Sequence, residues 1–179
     1  HNCLVGSEMC IRDRFKITGR NLPENLSTAA TVMTAVSLDR MMGKKNRDKL
    51  DIRIRFKHHT SEGEAIPLGK YKYDVIIDHH RITHDAWGRE FAQDERIAKI
   101  VNFVGHEMVH VWQYFKGDLI LKNKKLYHHN LNHTVNGDQE YFDLPFEEEA
   151  RGKEEGHMYA FLVRWKQLQE EVIEGTLYQ

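Results

Sequence analysis

Cysteine is nearly missing from this chain: among 179 residues there are two, Cys3 and Cys10. A bridge between them would close only a small loop and does not make a disulfide framework, so the sequence reads as a protein with free thiols, as reducing compartments favour. Proline is scarce too, with three residues, and no Pro/Ser-rich stretch divides the chain. No apolar run approaches the ~20 residues that span a bilayer, and no signal-peptide pattern opens the chain, so no membrane partner is expected and a cytoplasmic location is. The opening His1-Asn2 leaves room for an excised segment. An excess of charge of one sign is also lacking, with 26 basic against 27 acidic side chains. That balance gives no electrostatic case for a polyanion, so nucleic acid is not an expected partner.

What is present suits one compact domain over residues 1–179, with 1–22 a poorly specified lead-in holding a short strand around 15–18. After Pro23, apolar residues from Leu26 to Met42 recur at three and four and stop at Gly43, which predicts an amphipathic helix. Lys44–Lys49 reads as a charged turn. Asp51–His58 alternates strictly and predicts a strand with Ile52, Ile54 and Phe56 inward. Thr60–Glu64 and Pro67-Leu68-Gly69 read as turns, and Tyr71–Asp78 as a second strand leading to His79, His80 and His84 in a loop. A long helix is expected from Gln93–Glu95 to Phe115, with Gly117 as its cap. Residues 118–145 are polar and irregular, a connection long enough to suggest a functional loop. Pro145 then opens a last helix ending at Gly175. Trp87, Trp112 and Trp165 are expected to be buried or half-buried anchors.

The long central helix carries Val104-Gly105-His106-Glu107-Met108-Val109-His110-Val111. Residues four apart share a helix face, so His106 and His110 can aim imidazole nitrogens at one metal ion while Glu107 stands beside it as a base for water. The flanking apolar band holds the pair on a core element, and Gly105 lets another segment approach closely. A hydrolytic zinc site needs a third protein ligand and an open position. Glu147, Glu148, Glu149, His128, His129, His133 and His157 are all candidates. A helix that begins with glutamates and carries small Ala150 a turn later can be laid across the first helix.

These residues resemble the gluzincin group of zinc metallopeptidases in its minimal form. The resemblance covers about residues 70–165 and rests on His106-Glu107-Met108-Val109-His110 and on Glu147-Glu148-Glu149-Ala150-Arg151, which is like that group's E-x-x-A-D or E-x-x-A-R element. It implies an α+β fold, zincin-like, with a small mixed sheet packed on the central HExxH helix and on a ligand-bearing C-terminal helix. It also implies Zn²⁺ held by His106, His110 and Glu147, with Glu107 as general base in peptide-bond hydrolysis. Arg151 stands where the group more often has an aspartate that braces a ligand histidine, so that brace falls to another residue, with Asp143 and Glu148 as candidates. Tyr127, His128, His129 and Tyr141 are candidate donors to the developing oxyanion. Strand 71–78 resembles the zincin edge strand that pairs with an extended polypeptide substrate. A competing resemblance is to SprT-like metallopeptidases, where His128, His129 or His133 would be the third ligand and proteins associated with nucleic acid the substrates. A noncatalytic zincin-like binding or inhibitory protein is the other alternative.

Overall fold

The computed structural model describes residues 15–122, 125–128, 131–134 and 143–177. Its elements are β1 (Phe15–Gly19), α1 (Glu24–Met42), α2 (Lys44–Arg47), β2 (Asp51–Lys57), β3 (Gly63–Gly69), β4 (Lys72–Asp78), α3 (His79–Thr83), α4 (Gln93–Lys116), β5 (Leu119–Lys122), β6 (Lys125–His128), β7 (Leu131–Thr134) and α5 (Pro145–Leu177). The expected α+β fold is observed, a mixed sheet packed on helices.

Alternation decides how the sheet meets the helices. β1, β2 and β4 are parallel, and their register aligns Phe15, Ile52 and Tyr73 in one row and Ile17, Ile54 and Val75 in the next. These rows face α1 and α4, where Ala29, Ala30 and Met33 meet Val101, Val104 and Met108 in one core. The polar residues between them fall on the opposite face, where Arg53 and Arg55 both hold Asp74 and keep its carboxyl below the usual range despite burial. The first turns of α5 and Phe161 complete the packing against α4. Among the described residues, no helix is long and apolar enough to cross a membrane.

Several sequence expectations need correction. Strand 71–78 is not at the sheet's edge: the order is β1-β2-β4-β3, so β4 is interior. The edge belongs to β3, antiparallel to β4, in a stretch whose Gly63, Pro67 and Gly69 suggested turns. An edge strand tolerates proline because its outward N–H has no partner to lose. The charged segment after Gly43 is the short helix α2, where Arg47 is buried and paired with Asp39 and Asp48. His79–Thr83 is helical, capped by Asp78. Part of the polar connection is a second, three-stranded sheet of order β5-β6-β7. Trp87 is no anchor, being 91% exposed. Cys3, Cys10, His129 and Tyr141 lie outside the described residues.

The backbone phase of β3 positions the site. The Asp78 N–H donates to the Glu62 carbonyl, so residue 62 faces β4. Backbone groups alternate in an antiparallel ladder, which turns Glu64 and Ile66 toward β4 and Gly63 and Ala65 toward the free edge. Pro67 falls on the outward phase, consistent with its missing N–H.

Candidate metal centre

α4 is specified at both ends. The Glu95 carboxylate accepts from the Ala92 N–H at 2.7 Å, and Gly117 closes the helix at φ 84°. Between them, Val104, Gly105 and Glu107–Val111 are all buried, whereas His106 is half-buried where the helix meets a cleft. The cleft encloses about 820 Å³, with Gly63 and Ala65 of β3 on one wall, Leu126 and Phe146 on another, and His106 and Glu107 between them. Gly105 does allow a close approach, but by α1: a Cβ there would strike the Met33 methyl group.

His106, His110 and Glu147 converge as the motifs imply, and among the described residues they form the one cluster able to hold a metal ion. His106 Nε2 lies 3.1 Å from Glu147 Oε2 and 3.1 Å from His110 Nε2, and His110 Nε2 lies 3.3 Å from Glu147 Oε1. Donors bound to one zinc ion at 2.0–2.1 Å in a tetrahedron are separated by roughly 3.3–3.4 Å. The two imidazole nitrogens stand close to that spacing, and each has a different oxygen of the Glu147 carboxylate at a similar distance.

Proton bookkeeping sharpens the fit. Gln113 Nε2 donates to the Phe146 carbonyl at 3.0 Å and to Glu149 Oε2 at 2.9 Å, which directs its Oε1 at His110 Nδ1, 2.9 Å away. An amide oxygen only accepts, so His110 carries its proton on Nδ1 and turns the Nε2 lone pair inward. Glu154 Oε1, 3.0 Å from His106 Nδ1, sets the same arrangement there. Two lone pairs and a carboxylate then share one point, an arrangement that only a cation or a proton relieves. Accordingly, although burial pulls the other way, the carboxylates of Glu147, Glu107 and Glu154 lift the His106 pKa to about 9. His110 is raised for related reasons, against its burial.

Glu107 is not part of the cluster of donors. It is buried beside it with Oε2 lacking a protein partner among the described residues. Burial, opposed by His110 and His106, raises its pKa to about 7. That is the range in which a carboxylate accepts and releases protons at neutral pH. Tyr114, one turn after His110, borders the same cleft, and burial raises its phenol.

The remaining candidates are dispersed. Glu148 is exposed and Glu149 is bound by Gln113, so neither joins the donors. His157 is buried, its pKa lowered to about 4 by burial and Arg40, and it does not join them either. His128 is buried with its ring centroid 6.1 Å from that of Phe146, and Tyr127 is half-buried. His133 lies within β7. The histidine braces are Glu154 and Gln113 rather than Asp143 or Glu148. Sequence reasoning missed both, although Gln113 lies three residues after His110 and Glu154 two turns after Glu147, spacings that return a side chain to the same face. Comparison of the chain with protein-family models, with curated proteins and with solved structures finds no match in any of the three.

Proposed function

We propose that the protein is a zinc-dependent metallopeptidase of the gluzincin pattern, with His106, His110 and Glu147 as ligands and Glu107 as general base. The observation that carries this reading is the division of labour in one cleft: three donors directed at one point, and beside them a buried carboxylate whose Oε2 has no hydrogen-bond partner among the described residues. Zinc bound there supplies Lewis acidity, polarising a carbonyl and acidifying water. Glu107 takes the proton from the attacking water and delivers it to the leaving amine. Glu154 and Gln113 hold the imidazoles in the tautomer that leaves Nε2 available.

A polypeptide is the substrate class that β3 favours. Its free edge turns the N–H and C=O of Gly63 and Ala65 toward the cleft, two residues apart, the repeat that an added antiparallel strand requires. For the second donor to the developing oxyanion we assign the segment after β5, with Tyr127, His128 and Tyr141 as its candidates. The competing histidine-ligated pattern has less support, because Glu147 meets both imidazoles and, among the described residues, no further histidine joins the cluster of donors.

The test is hydrolysis of fluorescein-labelled casein and of a quenched-fluorescence peptide library by the zinc-loaded chain and by Glu107→Gln. The wild type is expected to cleave, and Glu107→Gln to keep one zinc per chain while losing at least ~10²-fold in rate, the scale of a lost general base. A wild type that binds zinc but cleaves neither probe would place the protein with the noncatalytic zincin-like proteins. Full activity in Glu107→Gln would remove Glu107 as base.

A further inference from the structure

We infer that Gly63 is a positioning residue for Glu107: the edge strand carries a glycine there so that the base can lie directly beneath its Cα, inside van der Waals reach of the strand that receives substrate. The inference rests on the hydrolase reading for what Glu107 does, but the contact itself does not.

The glycine is not explained by its backbone. Among the described residues the glycines with positive φ are Gly43, Gly88 and Gly117, so Gly63 has a conformation open to any residue. It is explained by space. A Cβ at position 63 would lie 2.9 Å from Glu107 Cδ and 3.0 Å from Cγ, and closer still to Oε1. The other glycine of the strand makes the contrast, because a Cβ at Gly69 would meet nothing within 4 Å. Glu107 has little freedom to yield. It is 5% exposed, on a helix buried on nearly every side in this stretch. Position 63 pairs with Ile77 and shares its face, so its missing side chain points at α4 while its outward backbone groups lie along the free edge. One residue thus sets the distance between the proton acceptor and the register of a bound peptide. A methyl group there would push the carboxylate aside by an amount comparable to 1 Å, enough to cost about 10²-fold in the chemical step.

The experiment compares Gly63→Ala with Gly69→Ala, each as the full zinc-loaded chain, and adds Gly63→Ala in a Glu107→Ala background. Gly63→Ala is expected to keep one zinc per chain, to lower kcat on labelled casein by about 10²-fold and to leave KM within about threefold, whereas Gly69→Ala stays near wild type. Thermal unfolding supplies a readout independent of activity. Gly63→Ala should lower Tm by several degrees when Glu107 is present and by less than about 1 °C when position 107 is alanine, since the clash is then gone. That cycle stands even if the wild type cleaves nothing, and a Gly63→Ala chain that folds only beside Glu107→Ala supports the inference equally. Loss of zinc in Gly63→Ala, a kcat within threefold of wild type, or the same fall in Tm in both backgrounds would overturn it.

Discussion

Two buried glutamates reach the same cleft from different regions of the molecule, and their surroundings give them opposite characters. Glu147, 3% exposed, sits in the first turn of α5, where the helix dipole favours a carboxylate, and its oxygens lie 3.1 and 3.3 Å from the two imidazole nitrogens. Glu107, 5% exposed, lies in the middle of α4, far from any helix end, beneath an edge-strand glycine. One is surrounded by groups that stabilise its charge. The other has no hydrogen-bond partner at Oε2 among the described residues, and burial, opposed by His110 and His106, lifts its pKa to about 7. On the proposed reading, a ligand and a base are made from one residue type by supplying or withholding hydrogen-bond donors.

Removing the first region's glutamate is the harshest way to break that contrast. Glu147→Ala deletes one of three donors, and we expect zinc affinity to fall by at least ~10³-fold, with the zinc site unfilled after dialysis. Competition against a fluorescent zinc chelator measures it. Retention of one tight zinc per chain would move the third-ligand role to another residue.

A milder change sharpens the comparison by touching only what holds the ligands. Gln113→Leu removes the acceptor of His110 Nδ1–H and one donor to the Phe146 carbonyl, and should weaken zinc binding by roughly 10–100-fold, the usual effect of losing a group behind a metal ligand. Glu154→Gln keeps an acceptor for His106 Nδ1–H and should cost less. Equal affinity in wild type and Gln113→Leu, by the same competition assay, would show that His110 is oriented without Gln113.

How much of this was legible in the sequence follows from how each contact is encoded. His106, Glu107 and His110 were legible because helix periodicity converts spacing directly into a shared face, and Gly117 because only a left-handed residue closes that helix. Glu147 came from the E-x-x-A pattern, and Ala150 is fully buried as that pattern requires. The edge strand was hidden by its own composition. Gly63, Pro67 and Gly69 lower strand propensity for reasons that an edge position and a crowded glutamate excuse. Glu154 was harder to see, since it meets His106 across 48 residues and its local trace is its place two turns after Glu147 in α5. β5–β7 escaped because strands of four residues are too short to display an alternation.

The smallest expected effect bears on the second region alone and turns on the sign of a titration. In the metal-free fold Glu107 holds its proton up to about pH 7, against an ordinary value of 4.5. A folded-state pKa raised in this way gives stability that is fully present below the unfolded value and is lost as pH rises through the folded one. Wild type therefore pays nothing for this buried acid near pH 4.5 and the full cost above 7. Glu107→Gln never ionises and escapes that cost. A shift of this size, with the attraction to His106 and His110 already in it, corresponds to about 3 kcal/mol, so metal-free Glu107→Gln should exceed wild type by about 1–3 kcal/mol at pH 8 and match it at pH 4.5. Urea unfolding at the two pH values measures the difference. Equal stabilities at pH 8 would mean that Glu107 is solvated as an ordinary surface carboxylate, and the contrast between the two glutamates would collapse.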